Sequence, residues 1–322
     1  MSIDKTIGSA SRITDHGSPG DGSSRTIALI GSNGMLATML KRVFPASWEI
    51  HAFDLPEFDI TNAAQVREVM VQLRPDVIIN CAAFTKVDLC ESEQETAFKV
   101  NGQGPGNLAK AAHQVGAVLM HISTDFVFAG DKTTPYTEDD AVGPQSVYGC
   151  SKLEGEQAII NSPLERYYIV RTSWLYGPGG PNFVETIARL AAEREELGIV
   201  ADQRGTPTYT GDLAEAIIRL LSLEATPHAS PLTPQSPYGR YHFSNEGECT
   251  WYDFACEIVN QLRERGAHLN VKTIKPLRTE EYPVPAKRPS YSVLSKEKYT
   301  MAAGTQVPEW KQSLRKYFVN RT

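Results

Sequence analysis

A chain of 322 residues suffices for one large α/β domain or two modest ones, and 41% hydrophobic against 22% charged residues leaves material for a sizeable core. Its 32 basic and 38 acidic residues give a net charge of −6 with no long Lys/Arg block, which excludes nucleic acid and anionic membrane as main partners. Five cysteines (Cys81, Cys90, Cys150, Cys249, Cys256) without a Cys-x-x-Cys pair imply neither a zinc site nor a disulfide framework and suit a reducing cytoplasm. No apolar run approaches the roughly 18 residues that span a bilayer, and the N-terminus lacks a secretory apolar region.

Residues 1–25, rich in Ser, Gly and Asp, read as a flexible tail. Thr26–Ile30 is a short apolar strand ending at Gly31, and Gly34–Phe44 has helical spacing with Pro45 as a stop. Strand 48–53, helix 62–73 and strand 76–80 follow. A helical region covers 92–115, strand 117–123 comes next, and helix 147–160 leads to strand 167–172. Apolar strands alternating with helices of this length predict an α/β fold, a doubly wound, mostly parallel Rossmann-like sheet. Beyond Thr172 the pattern loosens into helix 182–195, strand 198–201, helix 210–223, a Pro-rich loop at 226–237, strand 240–244, helix 251–263, a Pro-rich stretch at 275–289 and a terminal helix near Glu309. The expected division is a dinucleotide-binding domain over 26–173, with returning segments near 208–245. A smaller C-terminal substrate-binding lobe takes 174–207 and 246–322.

Gly31-Ser-Asn-Gly34-Met35-Leu36-Ala37 lies between the first strand and first helix. A diphosphate needs free N–H groups at a helix N-terminus and no Cβ in its way. Gly31 turns the chain, Gly34 admits the diphosphate, and Ala37 is small enough for helix–strand contact. Asp54, 20 residues beyond Gly34, can accept from the adenosine ribose, and Asp59-Ile60 can flank the adenine. An acid at Asp54 disfavours a 2′-phosphate, yet Lys41 and Arg42 are near in sequence, so NADPH and NADH both stay open.

Of 13 tyrosines, Tyr148 alone has a lysine, Lys152, four residues on. That spacing puts both on one helical face. Reducing a ketone takes a proton at oxygen as hydride reaches carbon, and a phenol of pKa about 10 is a poor donor near pH 7. A lysine cation about 4 Å away is worth roughly 4 kcal/mol to the phenolate at a dielectric of 20, up to roughly three pKa units before desolvation is charged against it. Thr124, at the carboxyl edge of its strand, completes a Thr/Tyr/Lys proton-delivery set.

These residues resemble the extended short-chain dehydrogenase/reductase superfamily and, more narrowly, the dTDP-4-dehydrorhamnose reductase family. The likeness runs from about Ile27 to Thr210 through FDIT (58–61), NCAAFTKVD (80–88), STDFVFAG (123–130), PYTEDD (135–140), VYGCSKLEGE (147–156), RTSWLYG (171–177) and DQRGTPT (202–208), with a further patch at 286–289. It implies that Ala83, Phe84 and Thr85 line the cofactor beside Gly31, Gly34, Met35, Leu36, Asp54, Asp59 and Ile60, that Thr124, Tyr148 and Lys152 are catalytic, and that Lys152 also holds the nicotinamide ribose. Asp125 and Trp174 would contact the sugar together with Thr124 and Tyr148, and Asn101 would support the site's backbone or simply cap a helix. The implied reaction is reduction of a dTDP-linked 4-keto-6-deoxy sugar by NADPH or NADH. Some relatives use Mg²⁺ at a subunit contact, so Mg²⁺ and a homodimer stay open, while no carboxylate cluster in the sequence is assigned to a metal. Ala37, Phe126 and Cys150 depart from the residues frequent in the family, without removing a group the chemistry needs. The alternatives are a related nucleotide-sugar reductase of the dihydrostreptose type and a non-catalytic NADP-binding regulatory subunit like that of methionine adenosyltransferase.

Overall fold

The computed structural model describes residues 24–223 and 236–321. The expected tail lies outside the described residues except for Ser24 and Arg25, and the Pro-rich loop at 226–237 lies outside them except for its last two positions. Strand β1 (Arg25–Ile30), helix α1 (Met35–Val43), β2 (Trp48–Phe53), α2 (Ala63–Leu73) and β3 (Val77–Asn80) follow in the order read from the sequence. The single helical region expected at 92–115 divides instead. After a single turn α3 (Val87–Cys90), the region becomes a second single turn α4 (Gln94–Ala97), a π-helical stretch Phe98–Gln103, and α5 (Gly104–Val115) with Pro105 in its first turn. Proline has no N–H for the helical ladder, so the regular helix starts afresh there.

Next come β4 (Val118–Thr124), α6 (Val147–Ile160), β5 (Tyr167–Thr172), β6 (Leu175–Tyr176), α7 (Phe183–Glu193), β7 (Glu196–Val200), β8 (Arg204–Gly205), β9 (Thr208–Tyr209), α8 (Thr210–Ser222) and β10 (Gly239–His242). The chain ends through β11 (Cys249–Thr250), α9 (Trp251–Glu264), β12 (Thr273–Leu277), α10 (Glu297–Ala303) and α11 (Trp310–Asn320). Besides the single turn α3 and the two-residue strands β6, β8, β9 and β11, two longer elements have no counterpart in the sequence pattern. Strand β12 opens the Pro-rich stretch, pairing in parallel with β7 in a two-stranded sheet where Pro276 breaks no central ladder. Helix α10 is the other.

Six strands form one sheet in the order β2-β1-β3-β4-β5-β10, with every neighbouring pair parallel. Side chains alternate between its faces as a pleated strand requires. Ile27, Leu29, Val77, Ile79, Val118, Met120, Tyr168 and Val170 enter one core with α1, α7 and α8. Ala28, Ile30, Ile78, Leu119 and Ile169 enter the other, with α2 and α5. Both faces being covered explains why these strands read as continuous apolar runs. The pairs β6–β9, β7–β12 and β8–β11 make three small sheets outside the main one. A third cluster joins Val127, Phe128 and Tyr136 after β4 to Tyr291, Val293 and Leu294. Among the described residues no helix is long and apolar enough to cross a membrane.

Candidate active site

The order of strands reverses at β1, whose neighbours are β2 and β3, so a crevice opens at their carboxyl ends. Gly31 turns the chain there with φ +72°, and a Cβ on it would lie 2.6 Å from the backbone nitrogen of Ala82. Only glycine satisfies both conditions. Gly34 begins α1 with no side-chain cap and no acidic residue in the first turn, so the N–H groups at Met35 and Leu36 have no side-chain acceptor of their own turn. Asp54 is turned onto this loop: its Oδ2 accepts from Asn33 N at 2.7 Å and its Oδ1 from Leu55 N at 2.9 Å. Lys41 donates to Ser32 O at 2.6 Å, placing its charge against the same loop. Asp59 caps a turn by accepting from Thr61 N, and the Ile60 side chain belongs to the core while its carbonyl accepts from Asn107 Nδ2 at 2.9 Å. The uncapped turn, the left-handed glycine and a first helical turn without an acidic residue fit a dinucleotide diphosphate.

Ala83, Phe84 and Thr85 follow β3. Asn101 clamps this segment, its Oδ1 accepting from Phe84 N at 2.8 Å and its Nδ2 donating to Phe84 O at 3.0 Å and to Ser151 Oγ at 3.1 Å. It lies inside the π-helical stretch and is no end cap. A Cβ on Gly155 would overlap Asn101 O, so α6 sits directly against that stretch.

Ser146 caps α6 by accepting from Gly149 N, and Glu91 accepts from Val147 N, which fixes Tyr148 in the first turn. Tyr148 is half-buried, with Phe126 edge-on at 5.4 Å between ring centres. Thr124 ends β4, accepting from Phe126 N and donating to Asp125 Oδ1 at 2.9 Å. Asp125 is buried and its Oδ2 has no hydrogen-bond partner. Burial pushes its carboxyl up to about 6, against the opposing hydroxyls of Ser292 and Thr124.

Lys152 is 2% exposed and donates to Ile122 O at 2.7 Å. Burial brings it down to about 8, while Glu156 and Cys81 pull the other way. Its Nζ also lies 3.3 Å from His121 Nε2, and His121 Nδ1 lies 3.0 Å from Asn80 Nδ2. The lysine was expected to lower the Tyr148 pKa. The phenol instead stands above its ordinary range, because burial and the Asp125 charge raise it, with the Thr124 hydroxyl acting in opposition. Desolvation is the largest cause, and Lys152 is not among the groups that act on the phenol.

Trp174 adopts φ +47°, a conformation costing of order 1 kcal/mol or more for a residue with a Cβ. One ring face is stacked on Trp251 at 3.6 Å and 11°, and Gly205 packs against the same indole. Two groups near the site were absent from the sequence reading. Glu156, one turn beyond Lys152, pairs with Arg171 and accepts from Ser123 Oγ at 2.5 Å. Asp88 accepts two bonds from Arg288 and one from Ala286 N, tying segment 286–288 to α3. The Arg288 hydrogen bond holds the Asp88 carboxyl below its usual range. The i, i+4 spacing of Lys152 and Glu156 was the available signal for the first; nothing local announces the second.

Residues 25–322 match the family model described as the RmlD substrate binding domain. The chain belongs to this family. RmlD-type relatives include the dTDP-4-dehydrorhamnose reductase of Streptomyces griseus, 40% identical over 89% of this chain and 91% of that protein. The spore coat polysaccharide biosynthesis protein SpsK of Bacillus subtilis (strain 168) is likewise 40% identical, over 92% of this chain and 98% of its own. The dTDP-4-dehydrorhamnose reductase of Bacillus anthracis str. Ames, solved in complex with NADP, superposes with a TM-score of 0.83 at 40% identity, covering 92% of this chain and 100% of that one. The family resemblance and the Rossmann-like fold read from the sequence are both borne out. Among the described residues of this RmlD-family chain, no group of three or more His, Cys, Asp or Glu is placed to hold a metal ion.

Proposed function

We propose that the chain reduces the 4-keto group of dTDP-4-dehydro-L-rhamnose to the alcohol of dTDP-L-rhamnose, using NADPH or NADH. What supports this reading is that Thr124 ends β4 and hydrogen-bonds the Tyr148 phenol while Tyr148 and the buried Lys152 lie one turn apart in α6, beside a glycine turn and an uncapped helix that fit a dinucleotide. The reductase names of relatives about 40% identical over nearly the whole chain support it over the related reductase and the regulatory-subunit readings.

Gly31, Gly34 and the first turn of α1 hold the diphosphate, with Met35 and Leu36 contributing N–H groups; Asp54, Asp59 and Ile60 lie toward the adenosine end, and Ala83, Phe84 and Thr85 line the opposite wall. Bound there, the reduced nicotinamide supplies a hydride. Tyr148 holds the proton: with its pKa raised by burial, the phenol stays protonated at neutral pH and yields its proton only as the keto oxygen gains negative charge. Thr124 directs a hydroxyl to the same oxygen. Lys152, as ammonium, stabilises the phenolate that remains and reaches the nicotinamide ribose. Asp125, with a free acceptor oxygen, and Trp174 receive the sugar. Residues 26–173 with the returning segments near 208–245 form the dinucleotide domain, and 174–207 with 246–322 the substrate lobe. Five free cysteines suit a cytoplasmic enzyme.

Purified protein supplied with a panel of TDP-, UDP- and GDP-linked 4-keto sugars and either coenzyme should oxidise NAD(P)H with the dTDP-linked 4-keto-6-deoxy sugar. Coenzyme binding without turnover of any of these sugars overturns the reading.

A further inference from the structure

The buried chain Asn80–His121–Lys152 has a proton count that does not balance when the lysine is charged. Ala82 N donates to Asn80 Oδ1 at 3.1 Å, which fixes the orientation of that amide and leaves its NH₂ facing His121 Nδ1 at 3.0 Å. Nδ1 is therefore an acceptor, and a neutral imidazole then carries its single hydrogen on Nε2. His121 is fully buried and held neutral by burial, with the Lys152 charge as the second cause. Its Nε2–H points at Lys152 Nζ, 3.3 Å away. An amine has a lone pair for that hydrogen and an N–H left for Ile122 O, 2.7 Å away. An ammonium has no lone pair. Charging Lys152 forces one donor against another, either at Nε2 or, if the ring shifts its hydrogen, at Asn80.

We propose that His121, fixed by Asn80, is a positioning residue that disfavours the charged form of Lys152 and so sets the upper pH limit of the reaction. This rests on the reading above, in which the ammonium supports the Tyr148 phenolate. The other groups facing Lys152 are Cys81 after β3, its thiol pushed up to about 12 by burial, and Glu156 on α6, itself paired with Arg171 of β5. Asp125, after β4, faces Tyr148. None of these supplies the frustrated hydrogen bond.

The test uses two nearly isosteric variants. In His121→Gln an amide oxygen can replace Nε2 and accept from the ammonium; in Asn80→Asp a carboxylate accepts Nδ1–H, freeing the Nε2 lone pair for Lys152. Both should move the basic limb of the kcat/KM–pH profile upward by about one unit, a tenfold change in the protonation equilibrium. Nitrogen-15 spectra of the histidine rings give a readout independent of turnover. His121 should be the Nε2–H tautomer in the unaltered protein and Nδ1–H in Asn80→Asp. His242, whose Nδ1 faces Tyr136 O at 3.0 Å, provides the opposite tautomer as a reference. A His121 ring already protonated at Nδ1, or a basic limb that stays in place in both folded variants, overturns the proposal. If the unaltered protein turns over no keto sugar, the reductase reading fails while the ring spectrum still decides this one.

Discussion

Glu156 and Arg171 form a two-bond ion pair shut off from solvent, with Nε to Oε1 at 2.9 Å and Nη2 to Oε2 at 2.7 Å. It bridges α6 to β5 one helical turn beyond Lys152, and Phe128 covers the guanidinium at 5.0 Å. Removing one partner from such a pair leaves an uncompensated buried charge, so Glu156→Gln should cost about 3–5 kcal/mol in chemical denaturation. A loss under 1 kcal/mol would show that α6 is held on the sheet by its apolar packing alone.

Tyr148→Phe removes one oxygen and keeps the edge contact with Phe126. Turnover should drop about 10²–10⁴-fold, the usual worth of a positioned proton donor, with coenzyme affinity and melting temperature little changed. Steady-state NADPH oxidation beside a binding titration checks it; an undiminished rate removes Tyr148 from the chemistry.

Asp125 gives stability a pH dependence of known sign. Its carboxyl rises from 3.8 to about 6 on folding, so between those values the folded chain holds a proton that the unfolded chain has released. Its contribution is complete below about 3.8 and is lost as pH climbs through 6, a span of about 3 kcal/mol. Asp125→Asn should therefore gain on the unaltered protein between pH 4 and 7. Urea midpoints for both at the two pH values test this, and a constant difference between them would refute it.

At Gly31, alanine meets a left-handed φ and the Ala82 backbone together. Gly31→Ala should lose at least about 2 kcal/mol from the conformation and overlap combined. NADPH affinity should fall as well, because the displaced loop carries the first turn of α1. Calorimetric binding at unchanged strength would mean that the diphosphate sits elsewhere.

Much of this molecule was written locally. The strands β1, β3, β4 and β5 are apolar runs because both faces of a parallel sheet are covered, and that pattern survives without coordinates. Gly31, Gly34 and the Tyr148–Lys152 spacing were legible for the same reason, since turn geometry and helical period act over a few residues. The strand β12 was not, because it depends on a partner more than 70 residues away in sequence, while the break before α5 had a local signal in Pro105 that the helical period masked.

The sequence by itself determined the order of the main elements, the glycine turn after β1 and the types of titratable group placed near it. Tertiary structure alone decided their charge states: Lys152 brought down to about 8, Asp125 raised to about 6, Tyr148 raised rather than lowered. The reason is physical. A pKa in a folded protein is set by desolvation and by neighbours that arrive from other elements, and His121 and Asp125 come to Lys152 and Tyr148 only when β4 and α6 pack together.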